Sequence, residues 1–402
     1  MSIPSTLSQL SRRDFLHSSI ASALLATTAS TVGQAPAKRW KGAVIGHSGR
    51  GDYGNALDQA LARHPDVDLL AVADADPEGL KRAKDRLKAA RTYLSYTELL
   101  EKERPELVVI APRHADQHHA MALAALKSGA HICIERPIAT TLSEADEILA
   151  EAQRRNLKVS VNFQLRLQPG VQWLLKQASS GVYGPLLEMN AVGKQGSKAG
   201  GEDLAVLGIN LFDMMRAFAG DPKSCNGHIF QNDRDVLASD ARIPEDNIGP
   251  VAGTAVSAEY YFENGVTGSF DSRLMRGRTI KKNPGRWGLT LRYANENFKI
   301  NADLPCQIFK YVGGEWKSEG RKDEWVLVQE APNPPSTPDL LVDSVFPVIE
   351  DWIQAIQENR NPINSGIDGL KSLEMVIAVY ASTLEEKRIH FPLKSRKHPL
   401  LP

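Results

Sequence analysis

Ala43-Val44-Ile45-Gly46-His47-Ser48-Gly49-Arg50-Gly51-Asp52-Tyr53-Gly54 decides the fold, because a short apolar strand breaks at once into a glycine-rich turn. A helical pattern follows through Ala56, Leu57, Ala60 and Leu61, and Val67 to Ala73 reads as a second strand ending in Asp74. Together these make a βαβ unit with an acid 20 residues after Gly54. Glycine permits the tight turn and lets backbone N–H groups approach a pyrophosphate at the helix N-terminus, while a carboxylate at the end of the second strand can accept from ribose hydroxyls. The unit predicts a dinucleotide site, with Gly46, Ser48, Gly49, Arg50 and Gly51 at the phosphates and Asp74 at the adenosine ribose, which favours NAD over NADP. Counted from the strand end the pattern is Gly46-x-Ser48-x-x-Gly51, so Ser48 stands in the second-glycine place, where its Cβ would crowd the phosphates. The literal G-x-G-x-x-G, at Gly49, Gly51 and Gly54, begins three residues late.

Outward from this unit the alternation continues. Helices are expected over 77–90, 117–127 and 142–154, and strands over 107–111, 131–134 and 159–163. Residues 38–165 therefore predict a doubly wound parallel sheet of the Rossmann type. Beyond residue 165 the texture changes to a helix at 171–179 and strands that include 187–192, 256–262 and 288–293, with polar connections at 220–253 and 330–338 read as loops. Helical periodicity returns over 340–356 and 369–385. Residues 166–402 are expected to form an α/β domain around a large, mainly antiparallel sheet, and the fold class is α/β.

Composition narrows the functions. The chain has 402 residues, with 48 basic and 48 acidic side chains and zero formal charge, so bulk electrostatics favour neither nucleic acid nor an anionic membrane surface. After the N-terminus no stretch approaches the ~18 apolar residues of a membrane span. The N-terminus carries Ser11-Arg12-Arg13-Asp14-Phe15-Leu16, an apolar run from Ile20 to Ala29 and Ala35-Pro36-Ala37. This is the layout of a twin-arginine signal over residues 1–37, which predicts a periplasmic or secreted mature protein. Three cysteines, Cys133, Cys225 and Cys306, lack metal-ligand spacing, and a Cys225–Cys306 bridge stays open. His118 and His119, near His114, point apart on a helix, so no metal site is expected.

The motifs, taken together, resemble the glucose-fructose oxidoreductase/inositol dehydrogenase (Gfo/Idh/MocA) family. The resemblance rests on the Gly46 turn, Val72-Ala73-Asp74, Ala111-Pro112 with His118, Glu135-Arg136-Pro137, Gln164-x-Arg166 with Pro169, Gly200-Gly201 through Asp213, and Gly369 to Glu374. It implies hydride exchange between a nicotinamide and a sugar, polyol or cyclitol carbon, and a homo-oligomer built through the sheet domain. It also places Pro112, His118, Glu135 and Arg136 around the cofactor, and Gln164, Arg166 and Asp213 around a small carbohydrate-like substrate.

Departures from the family pattern are concentrated where protons move. Arg136 replaces the usual lysine, and arginine cannot be deprotonated, so it can orient a hydroxyl or stabilise an oxyanion but cannot serve as a base. Val206 stands for the usual acid and Asn210 for the usual histidine. Arg136, Asn210, Lys194 and Glu202 are the remaining catalytic candidates, three of them with a bland alternative: an ion pair for Arg136, a solvated strand end for Lys194, a helix cap or solvated group for Glu202. Besides a dehydrogenase, the sequence allows redox-assisted glycoside cleavage or epimerisation with retained NAD, or a binding protein without chemistry.

Overall fold

A computed structural model describes residues 39–193, 196–274, 287–313, 325–332 and 338–401; the expected signal segment 1–37 and Lys194 lie outside the described residues. Strands β1 (Trp40–Ile45), β2 (Val67–Ala73), β3 (Arg91–Tyr93), β4 (Leu107–Ile110), β5 (His131–Ile134) and β6 (Val159–Val161) form one parallel sheet in the order β3-β2-β1-β4-β5-β6. Runs such as Leu107-Val108-Val109-Ile110 are buried at every position, as a parallel sheet covered on both faces demands. The covers are α1 (Leu57–Arg63) and α2 (Pro77–Leu87) on one face, and α3 (Tyr96–Glu103), α4 (His118–Ser128) and α5 (Leu142–Arg155) on the other. Strand order reverses between β1 and β4, which opens a crevice at their C-terminal ends.

A second sheet contains β7 (Leu186–Val192), β8 (Ser224–Gln231), β9 (Arg234–Asp235), β10 (Ala255–Tyr261), β11 (Thr267–Arg273), β12 (Gly288–Tyr293), β13 (Asn297–Asn301), β14 (Gln307–Tyr311), β15 (Trp325–Leu327) and β16 (Ile389–His390). Its order is β15-β14-β13-β12-β7-β11-β10-β8-β16, with β9 beside β8, and every pairing except β7–β11 is antiparallel. On one face lie α6 (Pro169–Ser179), α7 (Gly201–Asp203), α8 (Ile209–Ala219) and α10 (Gly366–Glu385). Between α7 and α8, Leu204–Gly208 makes a turn of π-helix. The opposite face presents Ser257, Glu259, Thr267, Asp271, Arg273 and Arg292 to solvent. Helix α9 (Leu340–Gln357) returns to pack on α1, burying Val345, Ile349 and Trp352 against the first sheet, while α10 touches both α5 and β8.

Two expectations change here. The segment 220–253 is not all loop: β8 runs through it, hidden in the sequence because its only buried apolar residues, Cys225 and Ile229, stand among polar and glycine neighbours. Cys225 and Cys306 are both buried and unbridged, so the open disulfide question closes in favour of free thiols. Among the described residues no helix is long and apolar enough to cross a membrane.

Candidate active site

The glycine-rich turn folds as a small hairpin. His47 and Asp52 exchange backbone hydrogen bonds at 3.1 and 3.0 Å, and the turn then crosses the crevice to the end of β4. Arg113 N–H donates to the Gly51 carbonyl at 3.1 Å, His47 Nδ1 meets Gln117 Oε1 at 2.7 Å, and Arg50 pairs with Asp116. Gly51 has φ +83°, and a Cβ there would lie 2.5 Å from the Arg113 and His114 nitrogens. A Cβ on Gly54 would lie 2.4 Å from the Ala111 carbonyl, so it is Gly54 that lets the helix start approach the sheet. Between the ends of β1 and β2 and the start of α4 lies a cavity of about 220 Å³ lined by Gly46, His47, Asp74, Tyr96 and Gln117 among others. Close backbone approach and strand ends converging at a reversal of order are features of a dinucleotide site.

Asp74 departs from its expected role. Its carboxylate, with the residue only 1% exposed, accepts from Ser48 N–H at 3.0 Å, Ser48 Oγ at 2.7 Å, Tyr53 OH at 2.8 Å and Asp76 N–H at 3.0 Å. Ser48 accordingly turns away from the phosphate side, towards Asp74 and Gly79, where a Cβ would sit 2.0 Å from its Oγ. The expected crowding of the phosphates by Ser48 does not arise.

Glu135 is also an internal strut rather than a cofactor contact. It is fully buried and accepts from Asn55 N–H at 3.0 Å, Asn162 Nδ2 at 2.9 Å and Arg136 Nη1 at 3.0 Å. The ion-pair alternative for Arg136 is thus realised, with its side chain 13% exposed beside the cleft. His118 is buried between two carbonyls, 2.7 Å from Pro112 O and 2.8 Å from Pro137 O, so both His118 and Pro112 join the ends of β4 and β5 and neither presents a free polar atom to a cofactor. Burial pushes the His118 pKa down, whereas two carbonyl acceptors favour N–H on both ring nitrogens. Tyr53, Asn55 and Asn162 escape sequence reading; the last two flank recognised motifs, but only the fold brings them to Glu135.

The substrate candidates separate. Arg166 and Asp213 do not face a cleft: Arg166 Nη1 lies 3.3 Å from Asp213, 3.1 Å from Asp368 and 3.0 Å from the Ile363 carbonyl, and Arg216 lies 3.0 Å from Asp368. This cluster ties the segment after β6 to α8 and α10, and burial raises the Asp213 pKa to about 7 despite Arg166. Glu202 is neither cap nor solvated group, since it pairs at 2.5 Å with Arg242 and is nearly buried. Its role as a catalytic acid gives way to that ion pair. Asn210, two residues after the π segment, is buried, its Nδ2 donating to Leu207 O at 3.3 Å. Gln164 Oε1 and Asn162 Oδ1 are buried acceptors with no hydrogen-bond partner.

A wall for the cleft comes from the second domain. Asn247 O accepts from Asp116 N–H at 3.1 Å, Asn247 Nδ2 meets His114 Nδ1 at 3.3 Å, and Asp246 pairs with Lys198. The segment between β9 and β10 therefore lies on the loop after β4, beside the glycine hairpin. Among the described residues no three His, Cys, Asp or Glu side chains converge as metal ligands.

Residues 41–163 match the model of the Gfo/Idh/MocA group, described as an oxidoreductase family with an NAD-binding Rossmann fold. The chain is 26% identical over 390 residues to D-apiose dehydrogenase of Paraburkholderia graminis, covering 92% of this chain and 93% of that one. It is 20% identical over 354 residues to myo-inositol 2-dehydrogenase of Thermotoga maritima, covering 86% and 97%. Among solved structures, levoglucosan dehydrogenase with NADH and levoglucosan shares the fold at a TM-score of 0.70 and 20% identity, over 88% of this chain and 100% of that one.

Proposed function

We propose that this chain, whose residues 41–163 belong to the Gfo/Idh/MocA oxidoreductase family, is an NAD-dependent oxidoreductase acting on a hydroxyl of a sugar, polyol or cyclitol. The observation that carries the reading is the crevice at the C-terminal ends of the first sheet, where the glycine hairpin borders a cavity of about 220 Å³ and Glu135, paired with Arg136, accepts from Asn55 N–H just after the hairpin. Gly46, Gly49 and Gly51 would let the backbone approach the pyrophosphate, and NAD would supply the hydride acceptor. Arg136, held by Glu135, donates to the reacting oxygen and stabilises negative charge there. Asn210, Asn162 and Gln164 supply neutral groups that position hydroxyls without exchanging protons. Lys194 keeps its place as the titratable candidate for the hydroxyl proton.

The same reading includes export through the twin-arginine route, on the strength of Ser11 to Leu16, and assembly through the exposed polar face of the second sheet. Export and the hairpin that crosses the crevice also favour a second reading, in which retained NAD oxidises and re-reduces one carbon during glycoside cleavage or epimerisation. The test is to purify the exported protein, denature it and identify released nucleotide by absorbance and mass, then titrate the nucleotide-free protein with NAD. Stoichiometric NAD or NADH, or saturable NAD binding, supports the function; a protein that holds none and binds none overturns it. Sugar turnover with net NADH formation separates the dehydrogenase from the second reading.

A further inference from the structure

Asp74 occupies the position from which a carboxylate would reach the adenosine ribose, yet its two oxygens already receive four donors. Three of those donors belong to the hairpin itself: Ser48 N–H, Ser48 Oγ and Tyr53 OH. Tyr53 is fixed from three directions. Its ring fills the space above Gly46, where a Cβ would fall 2.2 Å from Cε1; Arg86 of α2 stacks over it with the guanidinium carbon 4.6 Å from the ring centre; and its hydroxyl reaches Asp74. Arg86 in turn holds the buried Asp58 of α1 at 2.5 Å. Asp74 is thus the terminus of a chain of contacts running from α1 through α2 and the hairpin to the end of β2. An ionised carboxylate has about four acceptor sites, and these four donors fill them.

We infer that Asp74 is a positioning residue for the glycine hairpin, and that discrimination between NAD and NADP does not pass through its carboxylate. The inference rests on the proposed nucleotide function of the cleft. A ribose acceptor must have a lone pair facing the nucleotide; a carboxylate almost without exposed surface, closed over by Ser48 and Tyr53, does not offer one. What Asp74 supplies is the conformation of residues 47–53, which any dinucleotide needs equally, whether or not it carries a 2′-phosphate.

The test titrates the full exported chain, freed of nucleotide, with NAD and with NADP, for wild type, Asp74→Ala, Asp74→Asn and Tyr53→Phe. Thermal unfolding of each variant accompanies the titration, together with limited trypsin digestion that reads cleavage after Arg50 in the hairpin. Asp74→Ala and Tyr53→Phe are expected to weaken NAD and NADP by the same factor, about tenfold and about threefold, and to speed cleavage after Arg50. Asp74→Asn should recover most of the loss, because the Ser48 and Tyr53 hydroxyls can turn to accept from an amide. The ratio of the two dissociation constants should stay within about twofold throughout. A shift of that ratio towards NADP by about tenfold in Asp74→Ala, or tighter NAD binding by Tyr53→Phe, would show a ribose acceptor and overturn the inference. Should Asp74→Ala fail to fold, Tyr53→Phe, which keeps the ring over Gly46, decides the matter alone. A wild-type chain that binds neither nucleotide brings down the proposed function, and this inference with it.

Discussion

Two sets of buried polar groups near the cleft behave in opposite ways. At the ends of β2 and β5, Asp74 and Glu135 are buried carboxylates whose oxygens are filled from within the protein, by Ser48, Tyr53 and Asp76 in one case and by Asn55, Asn162 and Arg136 in the other. In the segment after β6, by contrast, Gln164 Oε1 and Asn162 Oδ1 are buried without a hydrogen-bond partner. A satisfied network is rigid and specifies one backbone path, whereas unmet buried acceptors cost stability and are retained where something else is gained. The contrast separates rigid struts at the ends of β2 and β5 from the segment after β6, whose polar demand is left open.

The largest effect should come from breaking the satisfied set. Glu135→Ala leaves Asn55 N–H, Asn162 Nδ2 and the Arg136 guanidinium without their shared acceptor, and should cost about 3–5 kcal/mol in chemical denaturation. A loss below about 1 kcal/mol would mean that the strut is not taut. Next comes Asp213, where the sign is reversed. Burial raises its pKa from 3.8 to about 7, so over that window the native state keeps a proton that the unfolded chain has released, and stability falls as pH rises. Asp213→Asn should remove that slope and exceed wild type by about 1 kcal/mol above neutrality, since Arg166 keeps Asp368 as a partner. Melting temperatures across the window check it, and an unchanged slope would assign the pH dependence elsewhere.

The smallest stability effect belongs to Gln164→Met. Removing an acceptor that has no partner should alter stability by no more than about 0.5 kcal/mol while weakening the apparent affinity for substrate. Equal losses in both measurements would erase the distinction between the two sets.

On the acid side His398 acts in the opposite direction to Asp213. Burial lowers its pKa from 6.5 to about 4, so the unfolded chain takes up protons first and stability is lost as pH falls through that range. His398→Gln should soften the acid-side loss, readable in the same melting series.

How far the sequence could be read depends on how local each relation is. The βαβ unit, both sheets and the strand-end motifs are visible because periodicity and glycine placement are properties of adjacent residues. An acid at the end of β2 looks the same in sequence whether its oxygens are free or filled; Ser48 and Tyr53 lie within its own βαβ unit, but nothing in their spacing reveals that they turn towards it. Arg166 looks like a substrate clamp until Asp368, two hundred residues on, is placed beside it. Glu202 needs Arg242 in the same way, and Arg242 lies in a stretch whose composition reads as loop. Tertiary partners, rather than local propensity, decide these roles.

The π turn at Leu204–Gly208 affects how the altered motif is counted. A π turn holds about one residue more than an α turn, so positions before and after it are out of phase by roughly 100° on the helix surface. Glu202 and Asn210 therefore face directions that ordinary helical spacing would not assign them. Shortening the segment by one residue would swing Asn210, Asp213 and Arg216 around the axis together, turning the ion cluster and the neutral site side chain in a single step.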